Sequence, residues 1–456
     1  MKLGMRGRVL GGGVAGLAGL AAVLAPGAAA GVSTAGGVLP MVASSHYISA
    51  QPPTVAQCLA AFGARCYGAP QFQAAYNEGG LLKSGDDGSG QTIVIVDSFG
   101  SPTALRDLQT YSKAYGLPAP KLNIQTPEGP INFNDPNAPG WMVETSLDIE
   151  MAHAMAPGAT IDLVEVPVAE TEGIVGIPQM EHAVKWAVDN DHPAVISQSW
   201  GATEQTFASA EQIQDERYAY KDAAAHGVTV LASSGDFGAT NPFFNGTCCY
   251  LQHANSWPSS DPLVTSVGGT LLRLDQQGHR ITPDRAWGGE GVGYQAGGGT
   301  VSSVFSRPSY QNVVAGTVGN RRGTPDISLS ADPKGLAIVY LSPPQVGPAG
   351  FYLVAGTSEA SPLFSGVIAL AAQQAGHGLG LINPALYSMV SKAHSGVIDV
   401  SLGNNNISFC TANCGTSSEQ DTTVRGYPAV SGYDLATGWG TVDANAFVPT
   451  LARDAG

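Results

Sequence analysis

Charged side chains are scarce in this sequence: they make up 12% of its 456 residues, about half of the roughly 25% usual in soluble domains. The 21 lysines and arginines are outnumbered by 36 aspartates and glutamates, which gives a formal charge of −15. Such a surface repels phosphate, so we do not expect nucleic-acid binding. In acid, the carboxylates lose their charge and the few basic groups build little self-repulsion, so the composition suits a protein that stays folded at low pH. A general bias toward acidic, alanine- and glycine-rich sequences would give the same pattern.

Long apolar runs are absent after the first thirty residues, so no membrane anchor is expected. The exception is the N-terminus, where a basic start is followed by apolar residues 9–24 and by three alanines at 28–30. This order is typical of a secretory signal peptide. We therefore expect residues 1–30 to be removed after Ala30 and the mature chain to be secreted and extracellular.

Cysteine is limited to six residues, and no CxxC or Cys/His metal spacing occurs among them. Export permits disulfides, but sequence alone cannot choose among the possible connectivities. Proximity along the chain favours two short loops, Cys58–Cys66 and Cys410–Cys414. The neighbours Cys248 and Cys249 remain, and a direct bridge between them would be strained.

The pattern of apolar residues changes at about residue 86. Residues 31–85 are turn-rich and contain one helix-like stretch at 70–82, whereas later residues alternate short apolar runs with helical segments. Strands are predicted at residues 92–97, 160–165, 194–197 and 228–232, and helices near residues 143–155, 179–188 and 208–225. Buried parallel strands joined by crossover helices explain this alternation. The predicted fold is α/β, and its active site should lie beyond the carboxyl ends of the strands.

The first candidate catalytic motif is Gly-Thr-Ser at residues 356–358, which precedes an apolar helix predicted at residues 363–372. A serine at this turn would expose its hydroxyl, while backbone N–H groups and the helix dipole would face an oxyanion beside it. Capping of the helix is a commoner use of serine or threonine at such a place. The motif alone leaves both interpretations open.

The second motif is a pair of acids, Glu144 and Asp148, within the predicted helix at 143–155. Their i, i+4 spacing puts both carboxyl groups on one helical face. Such a pair raises the pKa of one member, which is how a carboxyl group becomes a general acid or base. A solvated acidic face is the alternative, but the neighbouring Leu147 and Ile149 favour a buried helix.

The third motif contains Asp236, within Ser-Ser-Gly-Asp-Phe-Gly at residues 233–238. It follows the strand predicted at 228–232. An aspartate beside glycines commonly serves only turn chemistry. At the carboxyl end of a parallel strand, however, it is also placed to face a substrate.

These three motifs, in this order, resemble the sedolisin family of serine-carboxyl peptidases. The resemblance runs from about residue 58 to 448, and further matching stretches lie at residues 196–201, 264–270, 297–302 and 325–328. It implies a subtilisin-like fold over residues 86–456, with a mostly parallel central sheet flanked by helices on both faces. Family members carry a much longer prodomain than residues 31–85 could form, so we expect this segment to be an N-terminal extension instead.

The resemblance implies a role for each residue of the motifs. Ser358 is the expected nucleophile, Glu144 its general base and Asp148 the residue that orients Glu144. Asp236 is the expected acid on the oxyanion side, since a protonated carboxyl group can donate a hydrogen bond to the oxyanion.

Weaker parts of the resemblance concern the surroundings of the triad. Asp97 and Trp200 are expected to form a second layer of residues around Glu144 and Asp148, on the side away from Ser358. Trp200 and Gly201 are also expected to pair with the backbone of an extended substrate.

A fourth constellation, near the end of the chain, suits a calcium ion. Two carboxylates and several carbonyls in a turn-rich segment are the oxygen ligands that Ca²⁺ prefers, although ordinary Asx turns would show the same residues. By resemblance, one structural ion is expected to bind the side chains of Asp399 and Asp434 and the carbonyls of Val400, Val430 and Gly432. Family members often have glycine where this chain has Val430, but a carbonyl ligand does not depend on the side chain.

The expected function is that of a secreted, monomeric serine-carboxyl endopeptidase that hydrolyses polypeptides in acid through an acyl-enzyme. A tripeptidyl-peptidase type of exopeptidase and a secreted binding protein without activity are the alternatives. A subtilisin-like triad of Asp97, a histidine and Ser358 is a further rival. None of the nine histidines lies in the expected His-Gly-Thr setting; His153 should be a core or helix-end residue, and His226 should end a helix.

Overall fold

The computed structural model describes residues 46–288, 295–392, 394–414 and 418–455, so the expected signal peptide and its cleavage point lie outside the described residues. The helices are α1 (Val55–Phe62), α2 (Ala69–Ala75), α3 (Gly79–Ser84), α4 (Ala104–Tyr115), α5 (Ala138–Met155), α6 (Ile177–Asn190), α7 (Ala210–Glu216), α8 (Tyr218–Ala225), α9 (Ala315–Val318), α10 (Thr357–Ala375), α11 (Asn383–Met389) and α12 (Ala444–Asp454). The strands are β1 (His46–Ser49), β2 (Arg65–Tyr67), β3 (Thr92–Ser98), β4 (Lys121–Gln125), β5 (Thr160–Val166), β6 (Val195–Gln198), β7 (Ala202–Thr203), β8 (Thr229–Ser233), β9 (Ser256–Trp257), β10 (Thr265–Leu271), β11 (Arg285–Ala286), β12 (Val301–Ser306), β13 (Arg321–Gly323), β14 (Ile327–Ser330), β15 (Gly335–Leu341), β16 (Gly350–Val354), β17 (Val397–Ile398), β18 (Ile407–Ala412), β19 (Gln420–Val424) and β20 (Thr441–Val442).

An eight-stranded sheet forms the centre of the fold, in the order β11-β10-β8-β6-β3-β5-β4, with β14 also paired to β10. Its neighbouring strands run parallel except for β11, which is antiparallel to β10. The continuous apolar runs predicted as strands are β3, β5, β6 and β8, each within one or two residues of its expected bounds. The predicted mostly parallel α/β sheet is therefore confirmed.

Helices cover both faces of this sheet, as β3 illustrates. Ile93 and Ile95 point into a core shared with α5 and α10. Val94 and Val96 point into a second core, shared with α6 and α8. A strand buried on both faces has no polar side to display, and this explains its unbroken apolar sequence.

The described part of the N-terminal segment joins a second, four-stranded sheet of order β1-β16-β15-β2. β1 pairs antiparallel with β16, and β2 pairs parallel with β15. The hairpin of β15 and β16 leads directly into α10, so this sheet supports the start of that helix.

Two helix predictions were wrong in detail. The single helix expected at 70–82 is two helices, α2 and α3, because the chain turns at Asn77, whose φ of 59° is left-handed and ends a helix. The helix expected at 208–225 is also divided. The break falls at Arg217, whose guanidinium group donates a hydrogen bond to Asp261, 44 residues later in the chain. This tertiary contact outweighs the helix propensity of the segment.

The cysteines form three disulfides in the described part of the chain. The bridges Cys58–Cys66 and Cys410–Cys414 are those that proximity predicted. The neighbours Cys248 and Cys249 are bonded directly to each other. Within the described ranges, no helix is both long and apolar enough to cross a bilayer.

Candidate active site

Ser358 is the second residue of α10 and is fully buried. The preceding Gly356 has a φ of 136°, which favours glycine, and its N–H donates to the Ala331 carbonyl at 2.9 Å. This glycine is the cap residue of α10. Ser358 therefore lies inside the first turn, so the capping interpretation of the motif does not hold, and the serine shares this turn with the backbone N–H groups of the helix start.

Glu144 and Asp148 lie one turn apart on α5, and both are completely buried. The apolar residues around them bury nearly the whole helix. The solvated acidic face considered above is therefore wrong. Burial raises the pKa of both carboxyl groups well above their ordinary values, and each also feels the negative charge of Asp97.

Serine hydroxyl groups connect the Glu144–Asp148 pair to Ser358. Ser199, immediately after β6, donates to Asp148 Oδ1 at 2.9 Å and lies 3.4 Å from the Ser358 carbonyl oxygen. For Glu144, the hydroxyl groups of Ser358 and Ser199 oppose the effect of burial on the pKa. The structure thus brings α5, α10 and the end of β6 together at one point. Ser199 has no role in the sequence-based prediction, although its position just after a strand at the carboxyl edge was an available signal.

Asp236 approaches the start of α10 from the other side, on the loop after β8. Its Oδ1 accepts hydrogen bonds from the Thr357 N–H and the Thr357 hydroxyl, each at 2.8 Å. Its Oδ2 has no hydrogen-bond partner among the described residues. Burial raises the pKa of Asp236 to about 7, against the lowering effect of Thr357. In acid, this carboxyl group therefore carries a proton, and one of its oxygens is held in place while the other can present that proton.

Asp97 is buried near the end of β3, and burial raises its pKa to about 7 while the Thr145 hydroxyl lowers it. Three of the predicted acids, Glu144, Asp148 and Asp97, thus form one coupled group. The Trp200 indole lies in the core on the opposite face of β3 and donates to the Val96 carbonyl at 3.0 Å. Trp200 is therefore tied to the strand that carries Asp97.

Gly201 occupies a tight space beside β9. A Cβ atom at this position would lie 2.8 Å from Ser256 Oγ and 2.9 Å from the Trp257 carbonyl oxygen. The next two residues, β7, already pair antiparallel with β9. The edge of β7 that faces β9 is therefore not available to a substrate.

The predicted calcium ligands come together from two turns. Asp399 accepts a hydrogen bond from the Gly432 N–H at 3.1 Å, and Asp434 accepts one from the Val430 N–H at 2.8 Å. The carbonyl of Val400 accepts a hydrogen bond from the Thr437 hydroxyl of the other turn at 3.2 Å. Gly432 has a φ of 83°, which favours glycine. The two carboxylates and the Val400 carbonyl are oxygen donors of the kind that a hard cation prefers.

Histidines with hydrogen-bond partners in the described part of the chain bind groups outside this cluster. The hydrogen-bonded pairs are His153 with Pro118, His182 with Glu128, His226 with Asp222, His279 with Asp275 and His377 with Gly378. His253 contacts both Arg425 and Tyr427. Burial lowers the pKa of His153 to about 4. His153 and His226 lie in the core and at the end of α8, as predicted.

Comparison with known proteins identifies the family of this chain. The model of the subtilase family matches residues 129–385, more than half of the chain. Kumamolisin from Bacillus sp. (strain MN-32) is 34% identical over 78% of this chain and 59% of its own length. Sedolisin from Pseudomonas sp. (strain 101) is 31% identical over 86% of this chain and 62% of its own length. A solved structure of Pseudomonas sedolisin, a serine-carboxyl proteinase, superposes with a TM-score of 0.71 at 28% identity, covering 86% of this chain and all of that one. The chain belongs to the sedolisin family.

Membership of the sedolisin family confirms the expected subtilisin-like fold. Human tripeptidyl-peptidase 1 is a further relative, 30% identical over 68% of this chain and 52% of its own length. The chain thus spans between about half and two thirds of the length of these curated relatives.

Proposed function

We propose that this chain is a serine-type peptidase of the serine-carboxyl class, which hydrolyses polypeptides in acid. The observation that carries the proposal is the meeting of two buried carboxyl systems at the start of α10. Glu144 and Asp148 approach Ser358 with Ser199 on one side, and Asp236 is held by Thr357 on the other. The sedolisin relatives support the assignment, since Pseudomonas sedolisin is described as a serine-carboxyl proteinase.

In the proposed reaction, Ser358 Oγ attacks the carbonyl carbon of the peptide bond while Glu144 accepts the hydroxyl proton. Asp148, fixed by the Ser199 hydroxyl, orients Glu144. Glu144 returns the proton to the leaving amine, and an acyl-enzyme remains. A water molecule then attacks the ester with Glu144 again as base, and the acid product leaves as Ser358 regains its proton.

The oxyanion of each tetrahedral intermediate would lie between the first turn of α10 and Asp236. A protonated Asp236 donates a hydrogen bond to it, whereas an ionised one would repel it. This requirement explains why a buried aspartate held by Thr357 suits the site. The burial that raises the pKa of Asp236 to about 7 keeps the donor protonated throughout the acid range.

The proposal fixes the sign of the pH dependence. Activity falls as pH rises through about 7, because Asp236 then loses its proton. Activity also falls toward lower pH as the Glu144–Asp148 pair becomes fully protonated, because no base then remains; burial and the charge of Asp97 raise the pKa of both carboxyl groups. The measurement is the pH profile of kcat/KM, which reports the unliganded enzyme. An optimum near pH 8 with collapse below about pH 6 would indicate a histidine base instead.

Within this class we propose endopeptidase action. A digest of a denatured protein at about pH 4, analysed by mass spectrometry, distinguishes the alternatives. Internal fragments support an endopeptidase, and tripeptides released successively from the N-terminus support an exopeptidase like the tripeptidyl-peptidase relatives. An intact substrate would favour a binding protein. The Ser358→Ala variant serves as the control for contaminating peptidases.

We also propose one structural calcium ion at the turn formed by residues 399–400 and 430–434. The side chains of Asp399 and Asp434 and the carbonyls of Val400, Val430 and Gly432 would hold it. Bound there, the ion would neutralise the two carboxylates and tie the turns together, and it takes no part in the chemistry. Metal analysis of the purified protein tests the stoichiometry of one.

Finally, we propose that the mature protein is a secreted monomer that begins after Ala30. On this proposal residues 31–85 remain as an extension of the peptidase domain at residues 86–456. The pairing of β1 and β2 with the hairpin before α10 supports their retention. N-terminal sequencing and light scattering of the secreted protein test the cut and the monomer.

A further inference from the structure

A cavity of about 150 Å³ outside the candidate active site is lined by three basic side chains. They come from three separate segments: Arg273 follows β10, Arg285 lies in β11, and Lys334 precedes β15. Both arginines are only partly exposed. The whole chain has only 21 lysines and arginines, so their grouping around one cavity is unusual for this protein.

The charges that line the cavity do not cancel. Asp332 is the acidic residue among them; it is buried and accepts a hydrogen bond from the Lys334 N–H at 2.8 Å. Among the described lining residues, this one carboxylate faces the two arginines, whose charges exceed its own by one. Burial also raises the pKa of Asp332, although Lys334 and Arg273 oppose this. The excess therefore grows in acid, where the aspartate begins to lose its charge.

The two arginines differ in their partners from three other arginines of this protein that are buried or partly buried. Arg217, Arg280 and Arg322 each form a salt bridge with an aspartate. In the described ranges, the guanidinium groups of Arg273 and Arg285 form neither a hydrogen bond nor a salt bridge. Their donors therefore remain available to a molecule that enters the cavity.

We propose that this cavity binds a small oxyanion, a group with two or more negatively charged oxygens such as sulfate, phosphate or a carboxylate. Guanidinium groups match such oxygens with paired N–H donors. The cavity of about 150 Å³ is well above the roughly 10–15 Å³ needed to hold one water molecule. An anion with part of its hydration shell fits this space.

A bound anion would act close to the nucleophile's backbone. The N–H groups of Ala331 and Asp332 both donate to the Thr270 carbonyl, and the Ala331 carbonyl in turn accepts from Gly356. Gly356 is two residues before Ser358. The loop that lines the cavity is therefore the same loop that holds the turn into α10.

The test is calorimetric titration of the full chain at about pH 5 with sulfate, and separately with succinate as a carboxylate probe. The Ser358→Ala variant is used throughout, so that the result does not depend on the proposed peptidase activity. Ionic strength is held constant with sodium chloride. We expect saturable binding of one anion. Arg273→Gln and Arg285→Gln should each weaken it by about tenfold or more, because each removes hydrogen bonds to a charged group.

Two further variants make the test specific. Arg321→Gln removes the same charge from an exposed position on β13 and should bind like the parent. Arg285→Lys keeps the charge but loses the paired donors, so an intermediate affinity is expected even if the glutamine variants fold poorly. Saturation by sulfate alone assigns an inorganic anion, and saturation by succinate assigns a carboxylate. The proposal is overturned if neither anion saturates, or if the variants at 273 and 285 bind as tightly as the parent.

Discussion

The hydrogen bond from the Thr357 hydroxyl to Asp236 should set the pH at which activity is lost on the alkaline side. Replacing Thr357 with valine keeps the shape of the side chain but removes this 2.8 Å hydrogen bond. The bond favours the ionised carboxylate, so its removal raises the pKa of Asp236 further above 7. Asp236 then keeps its proton to higher pH. The alkaline limb of the pH profile, where kcat/KM falls as pH rises, therefore shifts to higher pH.

The size of the shift follows from the strength of the bond. A hydrogen bond to a charged group contributes about 1.5–3 kcal/mol, and a change of one pKa unit corresponds to about 1.4 kcal/mol. The limb should therefore move by roughly one to two pH units. The Thr357 N–H still donates to Asp236, so the carboxyl group keeps its position. The assay is initial rates on a fluorogenic peptide from pH 3 to 9.

Ser199→Ala is the matched control, since it removes a hydroxyl that donates to the other carboxyl system. Its 2.9 Å bond to Asp148 favours the ionised form. Loss of this hydrogen bond raises the pKa of the Glu144–Asp148 pair. The acid limb of the pH profile, where kcat/KM falls as pH decreases, therefore shifts to higher pH, while the alkaline limb is unchanged. If Thr357→Val leaves the alkaline limb in place, or if Ser199→Ala moves that same limb, Asp236 does not control it.

The remaining predictions concern catalysis, calcium and stability. Ser358→Ala and Glu144→Gln should each lower kcat/KM by at least about 10³-fold with unchanged circular dichroism; near-full activity of Glu144→Gln would exclude Glu144 as the base. Chelation should lower the melting temperature of the parent but not of Asp399→Asn, because an ion that binds only the folded chain stabilises it; equal changes in both would argue against the site. Glu78 is buried with no partner for its carboxylate in the described structure, and burial raises its pKa. The folded state thus binds the proton more tightly, and stability is lost as pH rises. Glu78→Gln should lengthen the half-life of unfolding near pH 7 and leave it unchanged near pH 4, which urea-jump fluorescence would measure.

The strands around the site were predictable because the physics that forms them is local. β3 and β5 are buried on both faces, so their apolar runs mark them directly in the sequence. The positions of Ser358 and Asp236 follow, since each lies just after such a strand or at the start of an apolar helix. Burial of Glu144 was readable from its apolar neighbours on α5.

The parts that sequence did not reveal depend on contacts between distant segments. The roles of Ser199 and Thr357 rest on where a hydroxyl group points, which only the packing of three elements decides. The turn at Asn77 interrupts a helical pattern without glycine or proline at that residue. The pairing of β1 with β16 joins residues about 300 positions apart, and no local pattern encodes such a partner.

The pairing of β2 with β15 has a consequence for how the chain acquires its structure. Arg65 and Gly335 are register partners although about 270 residues separate them. Contacts of such long range are slow to form, since a large loop must close before any of them stabilises the chain. The hairpin that leads to Ser358 can complete its sheet only after β16, which ends at Val354, has been synthesised. A chain that ends before Val354 therefore lacks the completed sheet on which the start of α10 rests.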